Sequence, residues 1–236
     1  MTIHKSEKSQ PSNRQPSPFD FDILFPDEYL VEEDQMGDSV AHDKLIFYLE
    51  AVLIHLYRYE KWLVAGNLNH YHDDIENTQH LIVPDVAVFK GIEIPLEEQQ
   101  QLTSWNMRHG KRAAPPVVIE VSSEGTYPGD IDLNKKPRSY GLVGVKEYFA
   151  YDPHEPPVYP KTVGKRLLGW RYDEDKQPVA LEADERGWLW SEVLESWLAE
   201  DGLYLRLYDR DGNRRLTGQE AAWARLRELG IDPEKL

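Results

Sequence analysis

The sequence predicts a mixed α/β fold, α+β by stricter naming, with a mixed central β-sheet flanked by helices. Three observations predict it. An amphipathic helical pattern comes first, buried-strand runs then alternate with a second helix, and short aromatic-rich segments typical of antiparallel strands follow. This order favours a mixed sheet covered by helices over a pure β-sandwich.

Residues 40–57 carry apolar side chains with the spacing of one face of an α-helix. These side chains are Leu45, Ile46, Leu49, Val52, Leu53 and Leu56. The pattern predicts a helix that packs on the sheet. His42 lies on the same stripe, and we interpret it as a core or first-turn histidine, with an orientation toward a functional site as the alternative. Glu50 on the flank is expected to be solvated.

Short β-rich apolar runs at residues 62–66, 81–89 and 117–121 predict strands largely buried in a sheet. The polar stretch between the last two, residues 90–114, is expected to be a long excursion with at most a short helix. Turn-forming residues after 121 predict a loop.

A second helix is predicted over residues 135–142, and a strand resumes over 147–151. Asn134 is the expected N-cap, and Pro137 falls in the first turn, where its missing N–H is tolerated.

From residue 153 onward, aromatic-rich segments predict antiparallel strands that extend the sheet. The segments are 167–172, 179–182, 187–190 and 203–208. Thr217 and Glu220 then have the spacing of a capping box, which predicts a C-terminal helix that ends at Gly230.

Composition indicates one sizeable domain with appendages, because 40% of the 236 residues are hydrophobic. Residues 1–18 are polar and rich in Ser, Gln and Pro, which predicts a disordered tail. We assign 19–210 to the main domain and 211–236 to a hairpin end with the C-terminal helix. No apolar stretch suits a membrane span or a signal peptide.

The sequence contains no cysteine. This excludes disulfides, thiolate zinc sites and a cysteine nucleophile, and it fits a reducing cytoplasm. Any bound metal would have to use oxygen or imidazole ligands.

Charge is unevenly distributed along this acidic chain. Net charge is −15, which makes a general nucleic-acid coat protein improbable. Residues 108–146 contain seven Lys and Arg against four Asp and Glu, a local charge of +3 that leaves −18 for the remainder. One basic segment therefore stands out, either as a contact for phosphate or as an ordinary solvated face.

Two acids interrupt predicted buried strands: Asp85 in LIVPDVAVF and Glu120 in PPVVIEV. A buried carboxylate costs several kcal/mol unless it is paired, protonated or bound to a cation. A shared Mg²⁺ is one solution, since Mg²⁺ prefers oxygen ligands, and structural salt bridges are the alternative. The chemistry implied by such a metal is phosphodiester hydrolysis, for which Lys136 and Lys135 are the nearest cations in sequence.

Several ordered pieces of the chain resemble the Uma-type family of putative restriction endonucleases, within the PD-(D/E)XK nuclease superfamily. The pieces are VAGNLNHY at 64–71, PDVAVF at 84–89, PPVVIEVSS at 115–123, D-x-x-x-K-x-x-x-Y from Asp132 through Lys136 to Tyr140, and GVKEYFAYDP at 144–153. The resemblance covers about residues 38–153, and the ordered series is more specific than any single piece.

The resemblance implies a restriction-endonuclease-like core that cleaves DNA with Mg²⁺, or alternatively Mn²⁺. Asp85 and Glu120 would be catalytic metal ligands, with the Val121 carbonyl as a third. The superfamily motif has a lysine two residues after the glutamate, where this chain has Ser122, so the resemblance assigns the catalytic lysine to Lys136. Asn67 stands where relatives of this branch are expected to carry an acid.

As substrate-contacting residues the resemblance suggests Lys135, Tyr140 and Ser122, although a packed helix position is the simpler interpretation of Tyr140, and a capping role that of Asp132. DNA is the expected partner, and a homodimer is left open. The competing hypothesis is a weakly active or inactive descendant that serves as a binding module. A different hydrolase would need a Ser-His-acid arrangement, which the sequence does not suggest.

Overall fold

A computed structural model describes residues 40–75, 81–123 and 131–235. In chain order its elements are α1 (Val40–Leu56), β1 (Trp62–Gly66), β2 (Asn69–Tyr71), β3 (Leu81–Ile82), β4 (Val86–Lys90), α2 (Leu96–Gln99), β5 (Ser104–Asn106), β6 (Val117–Val121), α3 (Lys136–Val143), β7 (Glu147–Tyr151), β8 (Leu167–Tyr172), β9 (Pro178–Ala180), β10 (Leu189–Ser191), β11 (Ser196–Asp201), β12 (Tyr204–Tyr208) and α4 (Gly218–Glu228). The predicted tail, residues 1–18, lies outside the described residues.

The central sheet has six strands in the order β1-β4-β6-β7-β8-β9. Strands β6 and β7 run parallel and every other neighbouring pair is antiparallel, so the sheet is mixed as predicted. The parallel pair is joined by a crossover that contains α3, which is the usual way of connecting parallel neighbours.

Two apolar cores lie on the two faces of this sheet. On one face, the predicted stripe of α1 packs with alternate residues of β4, β6 and β7 and with the strands β10–β12. On the other face, α3 and the small sheet formed by β3, β2 and β5 cover the remaining alternate residues. The central strands are therefore buried on both sides, which explains their nearly continuous apolar sequences.

The predicted strand at 81–89 is in fact two short strands in different sheets. β3 pairs with β2, whereas β4 pairs with β1 and β6. Pro84 separates them, because proline has no N–H to donate and restricts the residue before it. The break places Asp85 immediately before the first residue of β4.

The helix predicted at 135–142 begins differently from the expectation. A π-helical turn, Ile131–Lys135, precedes α3, and Asn134 is not the N-cap. Pro137 lies in the first turn as predicted, and the left-handed Gly144 (φ 95°) ends the helix. Because the wide turn continues directly into α3, Asp132 and Lys136 lie one turn apart.

The prediction that the C-terminal strands extend the central sheet is wrong for two of the predicted strands, β10 and β12. β8 and β9 do extend it, but β10, β11 and β12 form a separate antiparallel sheet that packs against α1. β11 was missed because its sequence, SWLAED, lacks the β-branched residues that mark strands.

The C-terminal helix has the predicted capping box, with Thr217 at the N-cap and Glu220 reaching back to it. None of the α4 residues is buried, so this helix adds little to the core. Within the described ranges, no helix has both the length and the apolar character that a membrane crossing requires.

Candidate active site

The strand register brings the two predicted acids together. Val86 of β4 pairs with Ile119 of β6, so Asp85 and Glu120 occupy the next opposed positions. The Asp85 N–H donates to Glu120 Oε2 at 3.4 Å, and the Val121 N–H donates to Asp85 Oδ2 at 2.7 Å. The two carboxylates therefore meet where β4 begins and the neighbouring β6 ends.

The surroundings of this pair are nearly closed to solvent. The Glu120 side chain is fully buried, and the Asp85 side chain is 13% exposed. Two carboxylates in such a setting are costly unless cations or hydrogen-bond donors compensate them. Asp85 provides the more accessible oxygen atoms of the two.

Lys136 supplies one compensating cation from the start of α3. Its Nζ lies 3.0 Å from Glu120 Oε2 and 3.1 Å from Asp132 Oδ1, and its side chain is 15% exposed. Lys135, the alternative lysine, is exposed. The helix start therefore points Lys136, rather than its neighbour, at the predicted acids.

Tyr140 and Ser122, suggested as substrate contacts, are buried behind the carboxylates. The Tyr140 hydroxyl donates to Glu120 Oε1. The Ser122 hydroxyl donates to Asp132 Oδ2 at 2.8 Å and lies 2.5 Å from the Tyr159 hydroxyl. Their positions support the acids, and direct contact with a substrate stays a prediction.

His42 reaches the site from α1. Its Nε2 lies 2.8 Å from the Val121 carbonyl oxygen and 3.4 Å from Asp85 Oδ2, and the residue is buried. His42 is therefore buried, as a core histidine would be, and it also faces the site, which was the alternative interpretation. The Val121 carbonyl, the predicted third ligand, therefore already accepts one hydrogen bond, although a carbonyl oxygen has a second lone pair.

Burial and charge act on the two acids in different proportions. Burial, reinforced by Asp85 and Asp132, raises the pKa of Glu120 well above its ordinary value despite the nearby Lys136. Burial would also raise the pKa of Asp85, but the His42 hydrogen bond and Lys136 outweigh it and lower that pKa. The pair therefore combines one acid whose pKa is lowered with one whose pKa is raised.

Lys136 and Tyr140 stay protonated in this environment. Burial by itself would lower the pKa of Lys136, but the carboxylates of Asp132, Glu120 and Asp85 raise it well above its ordinary value. Burial, together with Glu120, also raises the pKa of the Tyr140 hydroxyl. Both groups therefore act as hydrogen-bond donors at neutral pH rather than as bases.

Among the described residues of the buried cluster, carboxyl groups outnumber ammonium groups. Three carboxylates, Asp85, Glu120 and Asp132, face one ammonium group, Lys136. A cluster so rich in carboxylate oxygens suits a divalent cation. Across the described parts of the chain, no three His, Cys, Asp or Glu side chains are arranged to hold a metal by themselves. A cation here would need water or substrate as additional ligands, which is usual for Mg²⁺.

Sequence reasoning missed several members of the site. Asp132 was interpreted as a cap, yet its spacing of four residues from Lys136 was the signal for the ion pair. Tyr148, which donates to the Asp132 carbonyl oxygen at 2.6 Å, and Tyr159 carried no recognisable signal. They come from strand β7 and from a later loop, and only the tertiary fold brings them here.

Glu50 was expected to be solvated but is about half buried. Its carboxylate accepts the N–H of Gly66 at the end of β1, and burial raises its pKa. A side chain at position 66 would clash with it, because an added Cβ would lie 2.8 Å from Glu50 Oε1 and 3.1 Å from the Asp85 carbonyl oxygen. Glycine at this position therefore leaves room for both the Glu50 carboxylate and the Asp85 carbonyl beside the backbone of residue 66.

The backbone conformation at position 67 explains why asparagine suits it. It adopts a left-handed backbone (φ 50°), and its N–H donates to the Pro84 carbonyl oxygen at 3.1 Å. Asparagine tolerates this conformation better than most residues. Its side chain is exposed. Asn67 therefore contacts the segment that carries Asp85 through its backbone N–H, and it adds no carboxylate there.

The C-terminal aromatics were expected to pack in strands, and they form cross-strand contacts. Trp190 pairs with Trp197 across β10 and β11, and Trp197 pairs with Tyr208 across β11 and β12. Arg186 covers the rings of Trp188 and Trp197. These partly exposed rings belong to the separate three-stranded sheet rather than to the carboxylate cluster.

Comparison with known proteins supports the resemblance seen in the sequence. The model of the Uma2 family, described as "Putative restriction endonuclease", matches residues 36–197. A search of curated proteins finds no match. Among solved structures, the chain is similar to a putative nuclease of the DUF820 group from Anabaena variabilis, with 16% identity and a TM-score of 0.44, covering 76% of this chain and 91% of that one.

Proposed function

Because the chain belongs to the Uma2 family of putative restriction endonucleases, we propose that it is a Mg²⁺-dependent endonuclease that hydrolyses DNA phosphodiester bonds. The observation that supports this proposal best is the closed cluster in which Asp85 and Glu120 meet and Lys136 joins them. Among the described residues, buried carboxylates that outnumber the lysines they contact favour a divalent metal site over a purely structural salt bridge.

The donor atoms of the cluster suit Mg²⁺ better than softer metals. Asp85 and Glu120 would hold the ion, with the Val121 carbonyl as a third ligand, and all three offer hard oxygen atoms. Mn²⁺ would fit the same ligands. When bound, such an ion supplies Lewis-acid activation of water and of the phosphoryl oxygen.

Each protein group has a role that follows from its position. Lys136, protonated and 15% exposed, would bind a non-bridging oxygen of the scissile phosphate and stabilise the charge that develops there. Tyr140 orients Glu120 from behind, and His42 fixes the Val121 carbonyl and approaches Asp85. These contacts hold the ligands in place before the substrate arrives.

A cleavage assay with matched variants tests this proposal. Purified protein would be incubated with supercoiled, linear, nicked and single-stranded DNA in the presence of Mg²⁺, Mn²⁺ or EDTA. We expect cleavage that requires the metal and disappears in Asp85→Asn and Glu120→Gln, with circular dichroism showing intact folding. Metal-independent cleavage, or cleavage that survives both substitutions, would place the activity elsewhere or in a contaminant.

The second candidate is a weakly active or inactive descendant that binds a partner. One observation favours it: both oxygens of Glu120 and the Val121 carbonyl already accept hydrogen bonds within the protein. Calorimetric titration with Mn²⁺ separates the two candidates. Binding that Asp85→Ala abolishes supports the enzyme, and absence of binding supports the module.

A further inference from the structure

Asp132 divides its two carboxylate oxygens between two groups that belong to different parts of the fold. Oδ1 lies 3.1 Å from the Lys136 ammonium, and Oδ2 accepts the Ser122 hydroxyl at 2.8 Å. Ser122 directly follows β6, two residues after Glu120, and Lys136 begins α3. Asp132 therefore connects the strand of the predicted metal ligand to the helix of the predicted catalytic lysine.

The network around Asp132 is fixed by burial. Asp132 is 4% exposed and Ser122 is fully buried. The Tyr159 hydroxyl lies 2.5 Å from the Ser122 hydroxyl, and Tyr148 donates to the backbone carbonyl of Asp132. Because these contacts hold the Asp132 carboxylate in place, it can in turn keep the Lys136 ammonium group in a fixed position.

Lys136 would face a conflict without Asp132. Its other carboxylate partner is Glu120, the predicted metal ligand, at 3.0 Å. An ammonium group and a divalent cation that bind the same carboxylate repel each other. A lysine with Glu120 as its only partner would either exclude the metal or leave the site when the metal binds.

We infer that Asp132, held by Ser122, is a positioning residue that retains the Lys136 ammonium beside Glu120 while Glu120 binds a divalent cation. This inference rests on the proposed metal site. It gives Ser122 a specific role at the position where the superfamily motif has its lysine: the hydroxyl anchors the carboxylate that holds the lysine supplied by α3.

A double-mutant cycle tests the inference. Mn²⁺ affinity would be measured by titration calorimetry for wild type, Asp132→Asn, Lys136→Met and the double variant. Lys136→Met should tighten Mn²⁺ binding because a competing cation is removed. Asp132→Asn should weaken Mn²⁺ binding about 10-fold in the wild-type background but only about 2-fold in the Lys136→Met background, since its effect acts mainly through the lysine. Ser122→Ala should shift binding in the same direction as Asp132→Asn, by less.

The chain offers a matched control in Glu147, another buried carboxylate that joins a serine and a cation. Glu147 accepts the Ser191 hydroxyl and lies 3.0 Å from Arg171 Nε, away from the cluster. Glu147→Gln should lower stability while leaving Mn²⁺ affinity unchanged. An equal loss of affinity from Asp132→Asn in both backgrounds, or no loss in either, would overturn the inference.

A second measurement needs neither metal nor activity. Acetic anhydride would be applied to the metal-free protein, and acetylation of Lys136 and of its exposed neighbour Lys135 would be compared by mass spectrometry. We expect Lys136 to be protected in wild type and Glu147→Gln, and to lose this protection in Asp132→Asn. If wild type binds no Mn²⁺, the proposed function fails, and the acetylation experiment alone tests the role of Asp132. Unchanged protection of Lys136 in Asp132→Asn would overturn that role.

Discussion

Asp85 and Glu120 are joined by a reciprocal pair of backbone contacts. The Asp85 N–H donates to the Glu120 carboxylate, and the Asp85 carboxylate accepts the N–H of Val121, the residue after Glu120. Each carboxylate is therefore oriented by a backbone N–H at or beside the other acid. Because the contacts involve the backbone, the geometry of the pair depends on the register of β4 and β6 rather than on flexible side chains alone.

Removing the more accessible acid should abolish both metal binding and cleavage. Asp85→Ala deletes a ligand, and we expect Mn²⁺ binding to become undetectable by calorimetry and DNA cleavage to be lost. Asp85→Asn should have the same effect on the metal with a smaller effect on folding. Retained Mn²⁺ binding in both variants would show that the ion binds elsewhere.

Lys136 should be needed for cleavage but not for metal binding. We expect Lys136→Ala to reduce the cleavage rate by about 100-fold or more, because it removes the cation at the developing phosphate charge. Mn²⁺ binding should be kept or tightened. Lys135→Ala should do little, since that side chain is exposed on the adjacent helix position. If Lys136→Ala retains the full rate of a demonstrably active wild type, the relocated-lysine hypothesis fails.

Most of the central sheet and the helix α1 could be predicted from the sequence, because the apolar sequence patterns there match the buried positions of the fold. The helix α1, the strand β6 and the strand β7 were placed to within a residue, since each has a clear apolar pattern and is buried in the core. The positions of Asp85 and Glu120 followed from the same patterns, because a charge inside an apolar run is conspicuous.

The remaining features depend on tertiary contacts that leave little trace in sequence. Tyr159 lies 37 residues from Ser122 along the chain, and nothing near either residue predicts their contact. The π-helical turn that aligns Asp132 with Lys136 was missed because helix-start signals favoured Asn134. The separate sheet of β10–β12 was missed because strand patterns do not specify which sheet a strand joins.

DNA binding should be weak and strongly dependent on salt. The basic segment at 108–146 carries +3, whereas the rest of the chain carries −18. Few phosphate contacts and long-range repulsion should make binding weak, and the remaining affinity should fall as salt screens the local attraction between the basic segment and phosphate. Fluorescence anisotropy at 50–300 mM salt (roughly the range over which screening changes most) measures this dependence. Tight binding that does not change with salt would contradict the electrostatic explanation.

His70 should make the protein sensitive to mild acid. It is buried and stacked on Phe89, and burial lowers its pKa to about 4. The unfolded chain binds a proton near its ordinary value of 6.5, so stability present above that pH should be lost as pH falls toward 4, by about 3 kcal/mol. Urea unfolding from pH 7 to pH 4 measures this loss.

His70→Gln should reduce the decrease in the free energy of unfolding between pH 7 and pH 4, because glutamine does not titrate. The matched control is His109→Gln, whose side chain is 79% exposed, and it should keep the slope of the wild type. A slope that is equally steep in His70→Gln would assign the acid sensitivity to other groups.

Glu120 should have the opposite dependence on pH in the metal-free protein. Burial raises the pKa of Glu120 above its ordinary value of 4.5, so the folded state favours the protonated acid. Its contribution to stability is complete below pH 4.5 and is lost as pH rises through the raised folded pKa. The stability of wild type relative to Glu120→Gln should therefore decrease from acid to neutral pH in EDTA.

Divalent cations should reverse this trend, because an ion bound to Glu120 requires the ionised carboxylate and becomes more competitive with the proton as pH rises. Thermal unfolding of wild type with Mg²⁺ or Mn²⁺ should thus show a stabilisation that grows with pH, and Glu120→Gln should show none. The two proteins would be compared at each pH with and without metal, so that titration of all other groups cancels. A metal-induced shift that is the same at every pH, or that persists in Glu120→Gln, would mean that the ion does not bind the buried pair.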